Sequence, residues 1–252
     1  MTAHNHSTET RTEEMRSRKF KNQDPEPHRH LRNWIFSLLV SGMRKKPGIQ
    51  RRVHLLAERA EWIAWVETSF GPVNYYWSRE KLWNQIHKLI RVQQNPRTVL
   101  EFGVAWGYAT NYWLSKNGSG IQLWHGFDRF TGLPRSWRDL DAGAFDAEGS
   151  PPNIIDPRVV WHIGDVEEQL PLLTIDNNSK LILFDLDLFE PTEFAWLHLR
   201  KSLNRGDIVY FDEGFDIDER KVIEDYVLQD FQVTVIGITN TAIAFMLNER
   251  AH

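Results

Sequence analysis

No cysteine occurs among the 252 residues. Its absence excludes disulfides and thiolate chemistry and leaves the redox compartment weakly constrained. A surplus of positive charge is missing too. Lys and Arg total 30 against 34 Asp and Glu, a net charge of -4, so no basic field or basic–aromatic stripe invites nucleic acid. Long apolar runs are also missing. The longest near the start, Trp34–Val40, is too short to cross a bilayer. It follows a charged leader without a small-residue cleavage site, so no secretory signal is read and a cytoplasmic location is the default.

What is present is an ordinary globular balance, 41% hydrophobic and 25% charged. The length suits one large α/β domain with N-terminal additions. Residues 1–30 are polar and predict a disordered tail, and its His4, His6, His28 and His30 read as solvated rather than metal-binding. Residues 31–96 read as a helical region on the lid, substrate or oligomer side. Leu31–Lys46 carries Trp34, Ile35, Leu38 and Leu39 on one face and a basic end. Packing on the domain or a second subunit is favoured there over a membrane-surface helix. Arg52–Ser69 follows, stopped by Gly71-Pro72. An aromatic cluster, Asn74-Tyr75-Tyr76-Trp77, reads as core, and a further helix, Arg79–Gln94, has Ser78 at its N-cap.

The remainder, residues 97–252, is organised around Thr98–Thr110, TVLEFGVAWGYAT. A β-branched run, Thr98–Val104, feeds a turn through Gly103 and Gly107 into a helical stretch, Tyr108–Lys116. This is the ligand-cradling corner of an open α/β sheet. A dinucleotide corner spells G-x-G-x-x-G and leaves its N–H groups to pyrophosphate. Here the third glycine is missing and Glu101 stands beside the turn. A carboxylate repels pyrophosphate and favours a cation, which points to a sulfonium methyl donor.

Strand and helix then alternate, as in a mostly parallel sheet covered on both faces. Strands are expected at Ile121–Phe127, Val159–Ile163, Lys180–Phe184 and Asp207–Phe211, with helices at Pro191–Ser202 and Glu219–Gln229. The chain closes with an antiparallel pair, Phe231–Ile238 and Ala242–Leu247. The long polar segment Arg129–Pro157 reads as a functional lid. Successive strands end at Glu101, Asp128, Gly164-Asp165, Asp185 with Asp187, and Asp212-Glu213. One such acid is most simply a turn former or cap; a full row of them makes an acidic rim where ligands bind. Like charges repel, so something positive belongs among them. Asp128, at the second strand end, suits ribose hydroxyls, and Asp165 would lie near an adenine. Asp185, Asp212 and Glu213 form an oxygen-only set that suits Mg²⁺. Asp185 or Asp187 is placed to accept the proton of a bound hydroxyl.

Four blocks carry a family resemblance: Glu101–Val104, Phe127–Pro134, Asp185–Thr192 and Gly206–Glu213. Together they resemble the macrocin-type O-methyltransferases, class I S-adenosylmethionine enzymes that methylate sugar hydroxyls in antibiotic biosynthesis. The resemblance covers roughly Thr98 to Leu247. It implies a seven-stranded, Rossmann-like α/β fold with an antiparallel last strand, a hydroxylated small-molecule substrate, a divalent metal, usually Mg²⁺, and a homo-oligomer. Its cofactor positions match Glu101, Gly103, Asp128 and Asp165, and its metal positions Asp185, Asp212 and Glu213. Phe102, Gly107, Arg129, Gly164 and Val166 are expected beside the cofactor from their place at the strand ends, and Asp185 and Asp187 remain the expected catalytic residues. Two positions depart from the pattern: Glu213 stands where Asp is usual, and Arg129 where a small or neutral residue is common. Rival readings are a metal-independent methyltransferase, a nicotinamide oxidoreductase and a scaffold. His125 and His162 read as core histidines rather than bases.

Overall fold

The computed structural model describes residues 47–116 and 120–251. The expected tail 1–30 and the helix Leu31–Lys46 lie outside these residues. Glu58–His252 forms one compact unit, and the first described helix begins in the unit before it. Seven strands make one sheet: β1 Arg97–Phe102, β2 Ile121–Asp128, β3 Val159–Ile163, β4 Ser179–Phe184, β5 Ile208–Phe211, β6 Phe231–Ile238 and β7 Ile243–Arg250. Their order is β3-β2-β1-β4-β5-β7-β6. The first five are parallel; β7 is antiparallel to both β5 and β6. The order reverses between β1 and β4, which opens a crevice above their carboxyl ends.

Each central strand is apolar on both sides because helices cover both faces. In β4, Leu181 and Leu183 belong to one core cluster and Ile182 and Phe184 to the other. In β5, Ile208 and Tyr210 divide from Val209 and Phe211 in the same way, the alternation a pleat imposes. Helix α1, Pro47–Phe70, brings Trp62 and Val66 to one face. Helix α2, Arg79–Gln93, brings Leu82, Trp83, Ile86 and Ile90 to the other. That spacing is the apolar stripe of an amphipathic helix. The chain leaves α2 through Gln94, in the left-handed region, whose N–H returns to the Ile90 carbonyl.

Several boundaries differ from the sequence expectation. β1 stops at Phe102 rather than Val104, because the chain turns at Gly103 (φ 86°). The helix after it, α3, is only Tyr108–Leu114. A short α4, Val166–Gln169, follows β3. The helix after β4, α5, starts at Phe189 and takes Pro191 into its first turn, where a missing N–H breaks no helical bond. The helix after β5 is α6, Ile217–Val222, continued by a π-helical turn, Ile223–Val227. Ser78 stands at the N-cap of α2, but its side chain makes no capping bond. The aromatic cluster before α2 is core only in part: Tyr76 packs against the core, but Tyr75 is 49% and Trp77 73% exposed. Tyr75 makes a single bridge to Ile238, and its hydroxyl donates to Asn240 at 2.6 Å, so it lies along the sheet edge.

Candidate active site

A ladder of rings crosses the sheet just below the crevice. His162, Phe127, Phe102, Phe184 and Phe211 sit on β3, β2, β1, β4 and β5, each stacked on the next. The centroid separations run 4.3, 4.9, 5.3 and 4.9 Å. Asp128, Asp185 and Asp212 directly follow Phe127, Phe184 and Phe211. The acidic rim therefore stands on an apolar, water-poor floor, where charge is poorly solvated.

Gly103 fixes the corner. A Cβ there would lie 1.9 Å from the Asp185 carbonyl oxygen, so β1 and β4 meet at this point only through a glycine. Asp128 holds the loop that follows. Its Oδ2 accepts from Val104 N (2.7 Å) and Ala105 N (2.8 Å), and its Oδ1 from Phe130 N (2.6 Å). Gly107 caps α3 in the left-handed region. Glu101 is deeper. It is buried and accepts from Thr110 Oγ1 and from Trp124 Nε1 (2.8 Å). Burial pushes its carboxyl up to about 8, against the pull of those hydrogen bonds. It lines the crevice as a buried carboxyl whose proton is held up to about 8.

At the next strand end, Arg129 Nε lies 3.1 Å from Asp165 Oδ1, both partly exposed. The unusual cation thus pairs with the neighbouring strand's acid. Gly164, Asp165 and Val166 line the same cavity, about 890 Å³, as Glu101, Gly103, Asp128 and Arg129. Phe102 does not line it; its ring serves the floor. The segment after Arg129 carries no helix or strand through Pro157. It returns Leu133, Pro134, Trp137 and Phe145 to the cavity wall. Phe145 meets Trp106 edge-on at 6.4 Å, and both rings are largely exposed.

On the β4 and β5 side, Asp185, Asp187, Asp212 and Glu213 all line the cavity. Burial first, then their neighbours' negative charge, raises Asp187 to about 7 and Glu213 to about 8. Asp185 is raised for the same reasons. Asp187 sits in the left-handed region at φ 63°, a strained backbone of the kind found where a side chain must be aimed. Two contributors escaped the sequence reading. Glu219, fully buried on α6, accepts from Glu213 N at 3.0 Å through Oε2, while its Oε1 has no partner. Arg79, from the start of α2, reaches Asp212 Oδ2 at 3.1 Å. The other oxygen of Asp212 accepts from the buried Tyr210 hydroxyl. No local pattern marks Arg79, 133 positions from its partner; the only hint was the rim's need for positive charge.

This bears on the metal expected at Asp185, Asp212 and Glu213. The donor chemistry suits a hard cation. Among the described residues, however, no group of three or more His, Asp or Glu is arranged to hold a metal ion. Both oxygens of Asp212 are engaged by Arg79 and Tyr210. The three carboxylates share a neighbourhood but do not form a ligand set.

His125 and His162 face each other across β2 and β3, Nδ1 to Nε2 at 2.9 Å. Burial lowers both, His162 to about 4. They are paired with each other away from the cavity lining; His125 is buried, as the core reading expects, whereas His162 is only partly buried.

No family model and no curated protein matches the sequence. Solved structures do match. The chain is similar to the calicheamicin methyltransferase CalS11, at 20% identity over 98% of this chain and 95% of that one, with a TM-score of 0.52. It is also similar to the O-methyltransferase NovP, at 15% identity over 67% of this chain and 80% of that one, with a TM-score of 0.50. The sheet order, the antiparallel last strand and these likenesses give the chain the class I methyltransferase fold.

Proposed function

We propose that the chain is an S-adenosylmethionine-dependent O-methyltransferase acting on a hydroxyl of a small molecule, with a sugar of a natural product as the acceptor class to try first. The observation that carries the reading is the acid-lined cavity at the sheet's switch point, with its glycine corner and the carboxylate of Glu101 held in reserve for a cation. The fold shared with CalS11 and NovP supports it. Asp128 and Arg129-Asp165 would serve the nucleoside, and Gly103, Gly107, Gly164 and Val166 its close approach. Residues 97–252 would hold the cofactor, and helices from residues 31–96 would shape the acceptor side. A homo-oligomer and a cytoplasmic location complete the proposal.

In this reaction the acceptor oxygen attacks the methyl carbon in line with sulfur. A C–O bond forms, the C–S bond breaks, and sulfur leaves as a neutral thioether. The hydroxyl proton passes to Asp187 or Asp185. A carboxylate poised near 7 is well matched to that task. Most of the rate would come from holding oxygen, carbon and sulfur in line. Mg²⁺, expected from the sequence, has no step in this reading, since among the described residues the carboxylates do not form its ligand set. Calorimetry with S-adenosylmethionine, its demethylated product and NAD tests the reading. Heat of binding from the first two alone is expected; binding of NAD alone, or of none, would overturn it.

A further inference from the structure

The rim's carboxylates call for a cation, and the chain carries one in place. Arg79 Nη1 lies 3.1 Å from Asp212 Oδ2. Its guanidinium is also held between two rings, 5.6 Å from the centroid of Trp83 and 5.1 Å from that of Tyr108. The Tyr108 hydroxyl in turn donates to Glu80 Oε1 at 2.8 Å, and Glu80 lies 3.9 Å from Arg79 Nε. An arginine stacked on aromatic faces and paired with a carboxylate is a pre-organised cation rather than a wandering surface charge. Arg79 and Asp212 also border a second, smaller cavity of about 320 Å³, so their ion pair stands as a wall between the two spaces. A metal on Asp212 would have to displace either this guanidinium or the Tyr210 hydroxyl.

We propose that Arg79 is the resident counter-ion of Asp212 within the carboxylate cluster, occupying the position a divalent cation would take, so that this carboxylate is paired without a metal. The proposal deepens the methyltransferase reading and rests on it for the reaction served. Arg79 acts as a positioning residue. It fixes the Asp212 carboxylate and sets the charge felt by Asp185, while touching neither the methyl group nor the sulfur.

Mn²⁺ titration followed by electron paramagnetic resonance tests it on the wild-type chain, on Arg79→Gln and on Arg79→Lys, with calorimetry of the demethylated cofactor run on each. The wild type and Arg79→Lys should leave the Mn²⁺ signal unchanged. Arg79→Gln, with the carboxylates uncovered, should bind Mn²⁺ roughly tenfold or more tightly than the wild type. Stoichiometric Mn²⁺ binding by the wild type would overturn the proposal whatever the variants do. Absence of Mn²⁺ from all three would overturn the counter-ion role, since the cluster would then need no cation. If the demethylated cofactor fails to bind the wild type, the methyltransferase reading fails separately, and the Mn²⁺ result still stands on its own.

Discussion

Trp124 Nε1 donates to Glu101 Oε2 at 2.8 Å, an indole N–H satisfied inside the sheet by a carboxyl on the neighbouring strand. Because burial pushes that carboxyl up to about 8, it carries a proton at neutral pH in the unliganded chain. Glu101→Gln, a neutral isostere, should therefore fold with near wild-type stability in urea at pH 7. Glu101→Ala leaves the indole and the Thr110 hydroxyl without an acceptor and should cost about 2–4 kcal/mol. Equal losses in the two variants would refute the protonated state.

Gly103→Ala places a methyl against the Asp185 carbonyl, at a backbone angle few L-residues adopt. The expected cost exceeds about 2 kcal/mol, because the clash is with backbone and cannot be relieved by a rotamer. Binding of the demethylated cofactor should be lost in the fraction that folds. Thermal melting beside calorimetry checks both, and a wild-type melting curve would show that the corner is looser than described.

Asp128→Asn exchanges one acceptor oxygen for an N–H donor that faces backbone N–H groups already aimed at it. The loop from Val104 to Ala105 should lose its anchor, and affinity for the demethylated cofactor should fall at least about tenfold. Unchanged affinity would remove Asp128 from the binding site.

Stability should fall as pH rises between about 6.5 and 8. Glu101, Asp187 and Glu213 keep protons in the folded chain up to about 8, 7 and 8, having ordinary values of 4.5, 3.8 and 4.5. The unfolded chain has lost those protons in this window, so it binds fewer, and stability declines with pH until the folded groups have titrated. His125 and His162 are lowered and act with the opposite sign, but only below their ordinary 6.5, where the unfolded chain alone is protonated. Melting curves across the window, with and without the cationic cofactor, check this; bound sulfonium should flatten the decline. A melting temperature that climbs over the same range would contradict the assignment.

The strand ends were legible because each is a short apolar run closed by an acid or glycine, a signal confined to neighbouring residues. Asp128, Asp165, Asp185 and Asp212 could be placed on one rim by that logic alone. Their partners could not. The ring ladder depends on cross-strand register, which periodicity within one strand leaves open. Arg79 and Glu219 reach the site from helices whose sequences show only ordinary helical spacing. The exposed Trp77 was misjudged because an aromatic cluster looks alike whether it turns inward or outward. Mg²⁺ was inferred from residue types, and residue types do not report which oxygens are already engaged.

The stacked rings also set a scale. Each rung belongs to one strand, and strands in a sheet repeat at about 4.8 Å. From Asp128 on β2 to Asp212 on β5 there are three such steps, across β1 and β4, so a molecule touching both ends must stretch about 14 Å. That length is written into backbone pairing. Rebuilding the loops above could alter the groups around the cavity mouth, but the distance between Asp128 and Asp212 would stay as the strands dictate.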